Sequence, residues 1–155
     1  MNIFVLDSDP VAAAKLSCDK HVVKMILESA QLLCSPFPQG TAPYRRTHYN
    51  HPCSVWVRES VDNYEWLLRH AYGLGEEYTY RYDKTHKSLN VVKWCNENYH
   101  SLKLPKKGLT KFAQAMPEEY RTDDVVTAYQ TYYQKDKHGI ATWKRREVPS
   151  FMKYA

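Results

Sequence analysis

The chain has 155 residues, enough for one domain whose hydrophobic core needs no metal or disulfide staples, and too few to make two domains an expectation. Hydrophobic residues make up 43% and charged residues 25%, which excludes a disordered or fibrous chain. The net charge of +5 leans mildly toward an anionic partner, and thirteen Tyr and four Trp against four Phe give aromatics with polar edges, suited to wet stacking sites as well as to a core.

The apolar run Ile3 to Leu6 is four residues long and is followed by Asp7 and Asp9. It is too short for a signal peptide or a membrane span, and a short strand is the most it offers. The four cysteines, at 18, 34, 53 and 95, show no CxxC spacing, so free, mostly buried thiols in a reducing, cytoplasmic setting are expected.

Asp9-Pro10 reads as a helix start, because Asp caps free backbone N–H groups and Pro fits the first helical position. The helix is expected to run to about Leu33, with a re-cap at Asp19 as an alternative. Val22, Met25, Ile26, Leu32 and Leu33 fall on one side, while His21, Lys24, Glu28 and Gln31 recur at steps of three and four on the other. Ser35 to Pro52 carries five Pro/Gly and no apolar period, so it reads as a long loop, and its second half, Tyr44 to His51, contains no acid. A second helix is expected from about Cys53 to Tyr78, with Gly73 and Gly75 weakening its last turns. A basic and aromatic connector, Tyr80 to Ser88, leads to a shorter helix holding Leu89, Val92, Trp94 and Cys95. Leu102 to Pro117 reads as a lysine-rich loop. Thr122 or Asp123 is expected to cap a last helix, which Gly139 ends before a basic, aromatic tail from Trp143. The result is an all-α, compact single-domain bundle of about four helices with long basic loops.

Charge is uneven along this chain. From Arg81 to Lys111 there are eight Lys/Arg against two acids, whereas Glu59 to Glu77 holds five acids. Basic segments interleaved with Tyr, His and Trp suit a phosphate-bearing partner, since cations neutralise phosphates and aromatic faces accept bases. Candidate phosphate contacts are Tyr44, Arg45, Arg46, His48, His51, Arg58, Arg81, Lys84, His86, Lys87, Trp143, Lys144, Arg145 and Arg146. Glu28 is the candidate catalytic carboxylate: Lys24 stands one turn and His21 two turns before it, so all three can share a cleft. The competing reading is an ordinary Lys24/Glu28 surface pair. No zinc-type spacing, P-loop, GxGxxG or GxSxG element is present, so no metal and no cofactor are expected.

Asp19-Lys20-His21, followed seven residues later by Glu28, resembles the first helix of the phage pyrimidine-dimer DNA glycosylases of the endonuclease V type. Met116-Pro117-Glu118-Glu119-Tyr120-Arg121 is similar to that family's turn before its last helix, and the end from Trp143 to Ala155 to its DNA-contacting tail. The chain also looks like a group of small phage proteins to which no activity attaches. The resemblance implies an all-α fold and base excision from DNA, with an accompanying AP-lyase step. It implies Glu28 as the catalytic carboxylate, which stabilises the developing sugar cation or shuttles protons, and an N-terminal α-amine as the nucleophile that forms a Schiff base with the sugar. In that family a small residue follows the initiator Met. Here Asn2 does, and a bulky second residue retains the Met, which leaves the Met1 amine, Lys24 or no nucleophile at all. Base excision from DNA is thus the leading expectation. Its alternative is binding or hydrolysis of a small cyclic nucleotide in counter-defence, in a pocket of Tyr44, Arg45, Arg46, His48, His51, Arg81 and His86.

Overall fold

In the computed structural model, which describes residues 1–154, the chain forms six α-helices: α1 (Pro10–Leu16), α2 (Asp19–Cys34), α3 (Pro52–Glu59), α4 (Val61–Tyr82), α5 (Leu89–Asn98) and α6 (Val125–Tyr132). Ala155, the last residue of the expected tail, lies outside the described residues. The expected all-α class is found, with six helices in place of about four and no strand among the described residues. Ile3 to Leu6 is fully packed in the core without a ladder partner, its Leu6 N–H turning back onto the Phe4 carbonyl.

Two expected long helices are each broken once, and in both cases a distant segment takes the backbone groups at the break. Between α1 and α2, Ser17 and Cys18 are extended; the Cys18 N–H donates to the Tyr133 hydroxyl at 3.2 Å and the Asp19 N–H to the Thr142 carbonyl at 2.8 Å. Between α3 and α4, Ser60 is extended, its side chain accepts from the Asn63 N–H, and the Val61 N–H donates to the Pro105 carbonyl. Each break therefore leaves no orphaned helix-end donor at these positions.

α4, 22 residues and about 33 Å long, is the central element, with α1, α2, α3 and α5 packed on it. Gly73 and Gly75 do not end it. A Cβ on Gly73 would stand 3.0 Å from the Ala14 Cβ, and one on Gly75 2.9 Å from Leu89 Cδ1, so both glycines are places where α1, α2 and α5 come close to the α4 backbone. One continuous apolar core joins Ile3 to Trp143, and the four cysteines are buried and unbonded within it. After α6 the chain widens into a π-helical turn, Tyr133–Lys137, a form frequent at functional sites.

Candidate functional site

Glu28 is buried on α2, where a carboxylate needs a partner. Its Oε1 lies 3.0 Å from the α-amine of the half-buried Met1 and takes no hydrogen bond from any other group. Lys24, one turn earlier, stands 3.8 Å from Oε2 with its side chain 70% exposed. The amine is held by its neighbour Asn2. The Asn2 side chain donates to the Ala115 carbonyl at 2.8 Å, accepts from the Ile3 N–H at 2.8 Å, and faces the Tyr129 hydroxyl at 2.9 Å. Residue 1 is thereby fixed against α2 by a side chain of α6 and by the loop before it.

These groups open onto a cleft of about 490 Å³, lined by Met1, Asn2, Phe4, His21, Lys24, Met25 and Glu28 on one side and by His51, Pro52, Gln114, Ala115, Arg121, Tyr132 and Lys137 on the other. Its charged groups are the Met1 amine, Lys24, Arg121 and Lys137 against the single carboxylate of Glu28, so the cleft attracts an anion and holds an amine beside a base.

His21 is buried, stacked on Phe4 with ring centroids 4.1 Å apart, and its Nδ1 meets the Tyr133 hydroxyl at 2.5 Å. Burial, with Lys137 and Lys24 nearby, pushes its pKa down to about 4, so the ring is neutral at pH 7. Burial also keeps the Tyr133 phenol protonated. Imidazole nitrogen is a far better acceptor than the Cys18 Sγ at 3.6 Å, so the phenol donates to Nδ1 and the ring proton sits on Nε2.

Of the expected catalytic residues, Glu28, His21 and Lys24 all reach this one cleft. The expected phosphate contacts divide. His51 lines the cleft; Arg46 and Arg58 stand over the ring of Tyr49, at 4.3 and 3.7 Å from its centroid, with no carboxylate partner among the described residues, and the Arg46 guanidinium also donates to the Ser35 and Phe37 carbonyls. Arg45, His48, Lys84 and Lys87 are exposed.

Others are structural, which corrects the expectation for them. Arg81 is fully buried, its guanidinium shared among Glu77, Asp19 and the Lys15 carbonyl, each at 3.0 Å, and it cannot reach a phosphate. Arg146 grips Glu77 with two bonds of 2.7 and 3.1 Å, Arg145 grips Asp83, and the buried Trp143 donates from its indole to the Leu16 carbonyl. The Lys144 N–H is taken by Asp19, and its ammonium stands 5.1 Å from the Tyr82 ring. The segment Trp143–Arg146 is thus a tie between the tail, α2 and α4, its two arginines neutralised by acids. Tyr44 is bonded to Ser88, and His86 uses both ring nitrogens, on the Val23 carbonyl and the Ser88 N–H. Of the seven side chains expected in a small-nucleotide pocket, His51 alone lines the cleft.

Sequence reasoning did not place Arg121, Tyr132 or Lys137 at the site, and it named Asn2 only as the residue that retains Met1. Arg121 closes the Met116–Arg121 motif that carried the family resemblance, and that was its signal. Lys137 had none, because its direction depends on the π-helical turn. Among the described residues no group of three His, Cys, Asp or Glu is placed to hold a metal ion. Comparison with protein-family models, with curated proteins and with solved structures returns no match.

Proposed function

We propose that the protein is a DNA base-excision glycosylase with AP-lyase activity, acting through the Met1 α-amine. The observation that carries this reading is the Met1 amine 3.0 Å from the buried Glu28 carboxylate in a cationic cleft. A nucleophilic amine needs a base to take its proton and a dry site to sharpen it, and α-amino groups as a class lose their proton about 2.5 pH units below lysine ammonium groups. Lys24 is the weaker candidate because its ammonium is mostly in solvent.

The reaction balances as follows. The neutral amine attacks C1′ of an extruded nucleotide, and the glycosidic bond breaks with its electron pair on the departing base, which takes up a proton. The new ammonium centre loses a proton to Glu28. Opening of the C1′–O4′ bond, with protonation of O4′, leaves a protonated imine between Met1 and the sugar. Loss of a C2′ proton then expels the 3′ phosphate. Lys24, Arg121 and Lys137 supply the cations that hold the flanking phosphates, and the exposed Arg45, Lys84 and Lys87 extend that field.

Borohydride trapping tests the proposal. The protein is incubated with duplexes carrying a pyrimidine dimer, other damaged bases or a preformed abasic site, reduced, and mapped by mass spectrometry, with the intact mass of the free protein establishing that Met1 is retained. A covalent adduct on the Met1 nitrogen is expected; an adduct confined to Lys24, or none with any duplex, overturns it.

A further inference from the structure

A second group at the cleft has a geometry of its own. His51 is the N-cap of α3, with Pro52 at the first helical position, and its Nδ1 accepts from the Cys53 N–H at 3.1 Å. Helix starts ordinarily use Ser, Thr, Asp or Asn for this bond, and His is not among the preferred caps. What His adds to the acceptor that Asn would supply is a second ring nitrogen, Nε2. The ring that carries it lines the same cleft as Met1 and Glu28. Because Nδ1 accepts from a backbone N–H, it is unprotonated, so the ring is a neutral imidazole with its single proton on Nε2.

The loop that delivers His51 is braced. Tyr49 is flanked by the Arg46 and Arg58 guanidinium groups, Arg58 Nη1 donates to the Tyr49 carbonyl at 2.6 Å, and the His51 N–H donates to the carbonyl of His48, which is left-handed with φ 51°. A turn held in this way fixes the direction of the ring before any substrate arrives.

We propose that His51 is a catalytic residue of base release: a neutral hydrogen-bond donor whose Nε2–H binds the acceptor next to the glycosidic nitrogen, the O2 of a pyrimidine or the N3 of a purine. Negative charge grows on that acceptor as the C1′–N bond breaks, and a preoriented donor stabilises it without moving a proton itself. The charged and titratable groups around the ring keep it neutral. Burial, the Met1 amine and His48 all lower its pKa, against which Glu28 acts alone, and Lys24, Arg121 and Lys137 in the same cleft add further positive charge. A neutral imidazole held at a helix N-terminus acts as an electrophile in the same way.

This inference rests on the glycosylase reading, and the two fail differently. The test is H51N, whose side-chain oxygen keeps the α3 cap and whose fold is therefore retained, but which has no group to replace Nε2–H. Single-turnover base release by H51N is expected to fall roughly a hundredfold or more. Borohydride trapping on a preformed abasic site, where no base departs, should stay near the wild-type rate. The pH profile of base release should keep its shape in H51N, since His51 donates a hydrogen bond and transfers no proton. Wild-type base release in H51N, or an equal loss on both substrates, overturns the role assigned to His51. A wild-type protein that traps with neither substrate overturns the glycosylase reading instead.

Discussion

Glu28 has two cationic neighbours that differ in freedom. The Met1 amine is fixed through Asn2 on a half-buried residue, whereas the Lys24 ammonium sits mostly in water. The spacing of His21, Lys24 and Glu28 along α2 made that face legible as a site, because residues three, four and seven apart share a helix face whatever the rest of the chain does. Periodicity carries no information about what comes to meet the face. Residue 1 reaches residue 28 only through hydrogen bonds to Ala115 and Tyr129, more than a hundred positions away in the chain. Since Glu28 is the one base beside the amine, E28Q is expected to cut base release by a factor of roughly a hundred or more while DNA affinity stays near wild type. Single-turnover assays alongside equilibrium binding check this, and undiminished turnover would remove Glu28 from the chemistry.

At the scale of elements, the apolar periods located the helical stretches and Asp19 offered the first break as an alternative, but nothing marked the second. Ser60 looks like one more polar residue in a helical run. It ends α3 and starts α4 because its side chain accepts from Asn63 and because Pro105, from a distant loop, accepts from Val61. The glycines of α4 err the other way: they suggest fraying, yet they sit where neighbouring helices touch the backbone. They make a paired prediction. G73A gains about 1 kcal/mol of helix propensity but drives a methyl against Ala14 Cβ and toward Val11 Cα of α1, neither of which moves without the helix. It should be net destabilising, by about 1 kcal/mol or more. G75A meets the ends of the Leu89 and Ile26 side chains, which can rotate away, and should be close to neutral. Urea unfolding of both variants checks the contrast, and equal effects would show that close approach is not the reason for these glycines.

Over the whole molecule, polar groups are built into the core in numbers that charge counting does not suggest. Arg81, Glu77, Asp19 and Arg146 form one hydrogen-bonded cluster joining α1, α2, α4 and the tail, and a buried arginine of this kind needs every partner it has. Two histidines are buried in neutral form, His21 against Tyr133 and His70 against the Pro10 carbonyl, and burial pushes each pKa down to about 4. The unfolded chain takes up protons at these groups as pH falls through about 6.5, and the folded chain does so only near 4. Stability from this source is therefore complete above about pH 7 and is lost between about 6.5 and 4, by roughly 3 kcal/mol for each ring. H70N keeps a donor for Pro10 and cannot titrate, so its stability should fall less steeply over that window. Denaturation midpoints at pH 7, 5.5 and 4.5 measure this, and parallel slopes in the two proteins would contradict it.

What the sequence determined by itself was local: the all-α class, the helical stretches, the polar face of α2, and basic segments interleaved with aromatics. Local spacing is enough for these because they follow from neighbours within a turn or two. The tertiary structure decided which cations are free. Arg81 and the Trp143–Arg146 segment look as accessible in sequence as Arg45 or Lys84, but acids and carbonyls from other helices occupy them. It also decided that an amine, a carboxylate and two neutral imidazoles meet in one cleft, because burial, charge pairing and the brace of a loop are properties of segments brought together by folding.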